Sequence, residues 1–327
     1  MSVGKQHAHC PYHLGAIASH KGITRRFAVH SFARSRTRSR LDLVTRLILN
    51  ADDFGLTTGV NRSIVELHRA GALTSATLMA TAASFTEAAA QSAALKTLGT
   101  GCHVVLVDGF PALPASEIPT LAPGGSLRPT LGGFVRDLFL GRIREAEIEH
   151  EAVAQIRRLQ QSGVQVTHLD THKHTHMFPR VLRPLLRAAL QCGVHAVRNP
   201  FEPEWALAAT PGAPFVRRME VRALRTQQKT FRRLVREAGL ATPDGAIGVL
   251  ATGTLDATTL RSLLRALPSG DQVWELVCHP GYTDAELDRV RTRLRASRNT
   301  EHAALLEVIP GAAKIELIHF GHLHPAL

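Results

Sequence analysis

Short apolar runs alternate with longer amphipathic segments from Arg46 to the end of the chain. Eight of the runs are predicted strands, at Arg46–Asn50, Ser75–Ala80, Gly101–Leu106, Gln165–Asp170, His195–Arg198, Ile247–Ala251, Gln272–Cys278 and Ile315–Phe320. Three intervening segments have helical spacing and stop at a glycine. They are Val60–Leu67, Ile148–Leu159 and Pro179–Cys192, which stop at Gly71, Gly163 and Gly193.

Alternation of strands and helices favours a mostly parallel sheet with helical crossovers. We therefore predict an α/β fold in which residues 46–327 form one closed or distorted (β/α) barrel, with an open doubly wound sheet as the alternative. Residues 108–134 are rich in Pro and Gly and are predicted to form a long loop over one mouth of the barrel.

The segment His168–His176 concentrates candidate ligands, because four histidines and Asp170 occur within nine positions. Alternating side chains share one side of an extended backbone, so several of these groups could converge where the preceding strand ends. Imidazole and carboxylate together form a common ligand set for divalent metals. A histidine-rich surface loop without ligands is the alternative.

Other polar residues also lie in or just after predicted strands. Asp52 and Asp53 follow the first strand, His103 lies early in the third, Arg198 ends the fifth and His279 follows the seventh. The carboxyl ends of parallel strands share one face of the fold, so these side chains are expected to meet there. One carboxylate could hold a cation while the other takes a proton from water. Capping of the next helix by the aspartates, and a core role for His103, remain open alternatives.

The net charge of +12 is concentrated at the amino terminus. Residues 1–46 contain nine Lys or Arg and one Asp, a net charge of +8, which leaves +4 for the remaining 281 residues. Residues 1–45 are predicted to be a basic, disordered extension that is either inert or a functional tail. The four cysteines form no CxxC pair, which fits a reducing compartment and a cytoplasmic location. No apolar run approaches the roughly 20 residues that span a bilayer.

The chain resembles the YdjC-like carbohydrate deacetylases, which include chitooligosaccharide-type and hopanoid-biosynthesis-associated branches. The resemblance lies in Asn50–Gly55, Gly101–His103, His168–Pro179 and Cys278–Pro280. It implies a distorted barrel similar to polysaccharide deacetylases, and an N-acetylated carbohydrate or glycolipid as substrate. Lys173 occupies a position where many members have histidine, and is not counted as a ligand.

The resemblance also implies the roles of individual residues. Asp53, His103 and His172 would ligate one divalent metal, with Mg favoured and Zn, Mn or Co open. Asp52 would be the general base, His279 the general acid by analogy with polysaccharide deacetylases, and Arg198 the partner that keeps Asp52 ionised. The remaining polar residues of the cluster would support the ligands or face the substrate; they are His168, Asp170, His174 and His176. A carboxylate such as Asp170 commonly orients a ligating imidazole.

Other functions remain open from the residues alone. The same ligand set could serve another amidohydrolase, a phosphoesterase or a non-haem iron oxygenase. Nucleic-acid binding is an alternative function of a different class, indicated by the amino-terminal arginines and by the cations between Arg217 and Arg236. We interpret that second cluster as the solvated face of a helix and expect no nucleic-acid partner. Whether the protein is a monomer or a homodimer is not determined by the sequence.

Overall fold

Seven parallel strands form the central sheet of the computed structural model, which describes residues 45–312 and 314–325. The strands are β1 (Thr45–Phe54), β2 (Ser75–Leu78), β3 (Gly99–Val104), β4 (Val166–Thr171), β5 (Gly245–Ile247), β6 (Val273–Cys278) and β7 (Ile315–Ile318). Their order is β4-β3-β2-β1-β6-β5, and β7 pairs with β1. The predicted extension lies outside the described residues apart from Thr45, and the proposed domain boundaries stay predictions.

The two outer strands of this path are joined by the segment 195–201, so the sheet curls into a distorted barrel. On one side Arg198 donates its backbone N–H to the carbonyl of Leu169 in β4. On the other side Ala246 in β5 donates its N–H to the carbonyl of Phe201. The predicted α/β barrel class is confirmed, although the predicted strand His195–Arg198 is present only as isolated bridges.

Ten helices surround the sheet in the described part of the chain. They are α1 (Thr58–Arg69), α2 (Phe85–Ala94), α3 (Leu131–Phe139), α4 (Glu145–Gln161), α5 (Pro179–Gln191), α6 (Glu204–Ala209), α7 (Phe215–Leu224), α8 (Gln228–Glu237), α9 (Ala257–Ala266) and α10 (Ala296–Val308). The three predicted helices correspond to α1, α4 and α5, and each ends just before its predicted glycine. Gly71, Gly163 and Gly193 all have positive φ, the left-handed conformation that favours glycine after a helix.

The centre of the sheet is sealed from solvent on both faces. Residues Leu47, Ile48, Leu49 and Ala51 of β1 are completely buried, and β6 is buried along its length. Strands covered on both faces have continuous apolar runs rather than alternating ones, which is why β1 and β6 were identifiable from the sequence. None of the helices described here is both long and apolar enough to cross a bilayer.

Two strand predictions were displaced along the chain. The strand predicted at Ile247–Ala251 was wrong, because β5 ends at Ile247 and Gly248 turns the chain with φ 85°. The strand predicted at Gly101–Leu106 begins and ends two residues earlier, at Gly99 and Val104. His103, which was predicted early in its strand, therefore lies near the carboxyl end of β3, as the other candidates do in their strands.

The long loop predicted at 108–134 is largely present, with α3 beginning at Leu131. Two buried glutamates of α4 fix it to the body of the fold. Glu151 accepts the backbone N–H groups of Ala112 and Leu113 at 2.7 and 3.1 Å, and Glu147 accepts that of Thr120 at 2.7 Å. These bonds satisfy backbone donors that a buried loop would otherwise leave unpaired.

Candidate metal centre and active site

The candidate site lies at the carboxyl ends of neighbouring strands. β1 supplies Asp52 and Asp53, β3 supplies His103, and His172 and His279 directly follow β4 and β6. Because all strand pairs are parallel, these ends meet on one side of the barrel even though the residues are far apart in sequence.

Asp53, His103 and His172 face one another closely enough to share an ion. His103 Nε2 lies 3.7 Å and His172 Nδ1 lies 3.6 Å from Asp53 Oδ1. One ligand atom from each residue lies within 4.8 Å of the others. Ligand atoms bound at about 2.0–2.2 Å to one ion are about 3–4 Å apart, so the three groups fit a divalent cation with little movement.

Asp53 divides its two carboxylate oxygens between different neighbours. Oδ1 faces the two imidazoles, while Oδ2 accepts a hydrogen bond from Arg298 Nη2 at 2.5 Å. Burial alone would raise the pKa of Asp53, but Arg298 and His172 hold it well below its usual range. The residue has φ 65°, an uncommon conformation for a non-glycine residue, which turns its side chain away from the regular strand. Asp53 is thus an ionised group with one oxygen available to a cation.

Asp170 orients His103 from the opposite side of the ring. His103 Nδ1 lies 2.7 Å from Asp170 Oδ1, which leaves Nε2 directed at Asp53. Burial lowers the pKa of His103, but the carboxylates of Asp170 and Asp52 outweigh it and raise the pKa to about 9. A cation at Nε2 would displace that proton, because only the neutral ring nitrogen is a ligand.

Arg198 is completely buried and is shared by three carboxylates. It holds Asp52 with two bonds, Nη1 to Oδ2 at 2.9 Å and Nη2 to Oδ1 at 2.6 Å. Its Nε donates to Glu275 Oε1 at 2.8 Å, and Nη1 also donates to Asp170. Burial would raise the pKa of Asp52, but Arg198 and then His103 hold it far below the usual range. Asp52 therefore remains ionised at any physiological pH.

A second trio of potential ligands, Asp52, His103 and Asp170, shares this region. Its oxygens already accept hydrogen bonds from Arg198, and His103 Nδ1 is committed to Asp170. A guanidinium thus occupies the position that a second cation would need. The first trio is the better fit to a metal.

His279 lies beside Asp52, with Nε2 3.7 Å from Asp52 Oδ2. Its backbone N–H donates to Glu301 Oε2 at 2.5 Å, which anchors the residue after β6. Burial lowers the pKa of His279, and the carboxylates of Asp52 and Asp53 oppose that effect. Among the described residues, its buried Nδ1 has no hydrogen-bond partner.

His168 and His176 are held by other contacts, away from the trio of candidate ligands. The expected alternation stops at Thr171, because 172–177 forms a 3₁₀ turn in which Lys173 and His174 have φ of 58° and 51°. His168 stacks on Phe320 with ring centroids 3.7 Å apart, and His176 Nδ1 lies 2.7 Å from the hydroxyl of Thr171. The segment is not an exposed surface loop, since His168 and His176 are fully buried, and its role in metal binding stays a prediction.

Three residues of the site, Arg298, Glu275 and Glu301, were not predicted from the sequence. Arg298 and Glu301 enter the site from α10, and Glu275 lies in the middle of β6. The only signal in the sequence was a glutamate inside an apolar strand. The aspartates do not cap α1, because the hydroxyl of Thr57 accepts the N–H of Val60 and so performs that role.

Comparison with known proteins assigns the chain to a family. A family model described as YdjC-like protein matches residues 46–308. A Brevibacillus brevis protein named carbohydrate deacetylase is 40% identical over 158 residues, which are 48% of this chain and 60% of that protein. A Salmonella typhimurium protein named chitooligosaccharide deacetylase is 39% identical over 149 residues, 45% of this chain and 57% of that protein. The matches thus span only about 60% of the length of these curated relatives.

A solved structure supports the fold independently. An Enterococcus faecalis protein, provisionally described as a cellobiose-phosphate cleavage protein, superposes with a TM-score of 0.65 over 85% of this chain and 98% of that chain. At 24% identity this likeness shows the fold alone. Because the family model covers most of the described residues, the chain belongs to the YdjC-like protein family.

Proposed function

We propose that the protein is a metal-dependent hydrolase that removes N-acetyl groups from an amino sugar, an oligosaccharide or a glycolipid. The observation that carries the proposal is the trio Asp53, His103 and His172 beside the ionised Asp52. The names of the two curated relatives, carbohydrate deacetylase and chitooligosaccharide deacetylase, support the same reaction.

Asp53, His103 and His172 would hold the cation. When bound, a divalent cation supplies Lewis-acid polarisation of an acetamide carbonyl and stabilises the negative charge that develops on its oxygen. We propose Mg²⁺ as the resident ion, although imidazole and carboxylate ligands also suit Mn²⁺, Co²⁺ and Zn²⁺.

Asp52 is proposed to accept the proton of the attacking water. Because its pKa is low, Asp52 is deprotonated and able to accept a proton at any physiological pH. It is also a weak base, so it readily gives up a proton that it has accepted. His279 is the natural receiver, because its Nε2 lies 3.7 Å from Asp52 Oδ2. Its lowered pKa means that the free imidazole is neutral at pH 7 and must gain a proton before it can donate one to the departing amine.

The test is acetate release by the purified full chain. The protein would be stripped with a chelator, reconstituted separately with Mg²⁺, Mn²⁺, Co²⁺ or Zn²⁺, and incubated with N-acetylglucosamine, chitooligosaccharides and an N-acetylglucosaminyl glycolipid. We expect acetate only after reconstitution, and none from His172→Ala, which loses a ligand. The exposed His150 on α4 gives the matched control, because His150→Ala should release acetate at the wild-type rate.

Two results would overturn the proposal. One is acetate release by the stripped protein or by His172→Ala at the wild-type rate. The other is turnover of these sugars that requires iron and oxygen without acetate formation, which would indicate an oxygenase.

A further inference from the structure

Helix α7 turns its apolar side chains towards solvent. Phe215, Val216 and Met219 are 73%, 68% and 45% exposed. Positions three and four residues apart share a side of a helix, and Met219 is four residues from Phe215 and three from Val216, so the three form one face. Val221 points to the opposite side and packs with Leu207 and Leu250. An amphipathic surface helix normally has the reverse orientation, with its apolar face on the core.

The arginines of α7 fix this orientation. Arg217 Nη2 donates to the carbonyl of Val249 at 3.4 Å, and Arg218 Nη2 donates to the carbonyl of Thr210 at 3.1 Å. Arg222 Nε donates to Glu204 at 2.9 Å at the other end of the helix. Rotation of α7 about its axis to bury the apolar face would break these hydrogen bonds. The bonds therefore hold the apolar face in its exposed orientation.

Positive charge accumulates around the same helix. Residues 215–237, which cover α7 and α8, contain eight Lys or Arg and two Glu, a net charge of +6. Residues 47–327 carry +4 in total, so the rest of that range is net −2. The basic excess of the described chain is therefore concentrated where apolar side chains are also exposed.

This surface lies on the side of the barrel that carries the candidate site. Val249, to which Arg217 donates, comes just after the carboxyl end of β5. The segment that follows β3 exposes further large apolar side chains, with Phe110 and Phe139 at 69% and 64%. In the described part of the chain, α7 and the segment between β3 and α4 together carry seven of the nine exposed large hydrophobic residues.

We propose that α7 and α8 dock the protein on the surface of an anionic lipid bilayer. Exposed aromatic and aliphatic side chains insert at the boundary between headgroups and acyl chains, and neighbouring cations bind anionic headgroups. A ten-residue helix is only about 15 Å long, so α7 lies in the interface and does not span it. The candidate site would then open towards the membrane.

Two other occupants fit this surface less well. A nucleic acid would be bound by the cations, but its phosphate backbone gives no role to Phe215, Val216 and Met219. A symmetric dimer through α7 would bring two +6 segments together, which like-charge repulsion opposes.

The experiment is co-sedimentation of the full chain with vesicles of phosphatidylcholine, either alone or with phosphatidylglycerol. The apolar variant combines Phe215→Ser, Val216→Ser and Met219→Ser. The matched control combines Leu190→Ser and Leu306→Ser, which change exposed residues of α5 and α10. We expect the wild type and the control to bind anionic vesicles at least about tenfold better than neutral ones. The apolar variant should bind them about tenfold more weakly.

A second variant tests the charges with little risk to the fold. Lys229→Gln with Arg236→Gln changes two exposed residues of α8 and should weaken binding to anionic vesicles only. Unchanged vesicle binding by the apolar variant would overturn the proposal. So would a wild-type dimer that this variant dissociates, or tight binding of duplex DNA that the apolar substitutions leave intact. Sedimentation is independent of catalysis, so a negative result here leaves the proposed reaction standing.

Discussion

A single buried guanidinium, that of Arg198, donates hydrogen bonds to three buried carboxyl groups, those of Glu275, Asp52 and Asp170. It keeps Asp52 ionised while Asp170 directs His103 towards Asp53. Two adjacent aspartates with similar exposure therefore have different surroundings. Asp52 is held between Arg198 and His279, and Asp53 lies between Arg298 and the two imidazoles.

Asp52→Asn tests the division of labour between the aspartates. The amide keeps the shape of the side chain but cannot take a proton, so turnover should fall by about 10²–10⁴. Metal affinity, measured by calorimetric titration, should stay within a few-fold of the wild type, because Asp53 and the imidazoles are unchanged. Asp288→Asn, at an exposed position, is the control. Loss of the metal together with activity would show that Asp52 is itself a ligand.

Arg298→Met tests the support of Asp53. Removing one partner of a buried ion pair costs about 3–5 kcal/mol, because the remaining charge is left uncompensated. A cation bound to Asp53 replaces part of the lost positive charge, so the destabilisation should be larger in metal-free protein than in metal-loaded protein. Urea unfolding of both forms measures the difference. An equal loss of stability in both forms would contradict a cation at Asp53.

At the scale of the secondary-structure elements, β3 and β4 pack closely at Gly101, where the His168 side chain of β4 lies against the backbone of β3. A Cβ atom on Gly101 would lie 2.5 Å from the His168 ring, which is itself stacked on Phe320. His168 cannot move aside without breaking that stack. The glycine therefore permits a bulky buried imidazole at the start of the ligand-bearing segment.

Gly101→Ala should consequently lower the free energy of unfolding by about 1–3 kcal/mol, the usual cost of overpacking a core. Gly132→Ala in the first turn of α3 is the matched control, because a Cβ there meets no atom within 4 Å. Thermal unfolding of both variants gives the comparison. If the two variants unfold at the same temperature, the packing of His168 against β3 is not as described.

The connection after β5 depends on a buried carboxylate that should give stability a measurable pH dependence. Glu202 accepts the backbone N–H groups of Gly248 and Leu250 at 2.8 and 2.6 Å, and burial raises its pKa from 4.5 to about 7. The folded state therefore binds the proton more tightly than the unfolded state. Its contribution to stability is full below pH 4.5 and is lost as the pH rises through about 7.

Glu202→Gln should remove this contribution, up to about 3 kcal/mol, from the pH dependence. The urea-derived free energy of unfolding of the wild type would then fall more between pH 5 and pH 8 than that of the variant. Burial also raises the pKa values of Glu275 and Glu301 to about 7. Their contribution to the pH dependence of stability is the same in the wild type and the variant. Identical pH profiles would mean that Glu202 titrates normally in the folded state.

For the whole molecule, the parallel barrel made most of the candidate site predictable from the sequence. Polar residues that follow apolar runs meet at one edge wherever the strands are parallel, and for this reason Asp52, Asp53 and His279 were expected to lie together. The helices α1, α4 and α5 were predictable because an apolar periodicity ends at a glycine in each. Residues buried within β1 and β6 were identifiable for a similar reason, since continuous apolar runs indicate strands covered on both faces.

The unpredicted features depend on contacts between elements that are distant in sequence. Arg298 lies on α10, where no periodicity distinguishes an arginine that points into the fold from one that points to solvent. The directions of the histidine side chains in His168–His176 depend on where β4 ends, at Thr171. The turn that follows results from the local backbone conformation. The orientation of α7 was equally hidden, because an amphipathic pattern normally indicates an apolar face on the core, whereas contacts of its arginines with other segments hold that face outward.

The central claim is that one cation is held by Asp53, His103 and His172 beside Asp52. Anomalous X-ray diffraction from a crystal loaded with Mn²⁺ or Zn²⁺ tests it most directly, because it locates the ion without reference to activity. We predict one peak within about 2.0–2.3 Å of Asp53 Oδ1, His103 Nε2 and His172 Nδ1. A peak at His168, His174 or His176, or no peak in this group at saturating metal, would contradict the account.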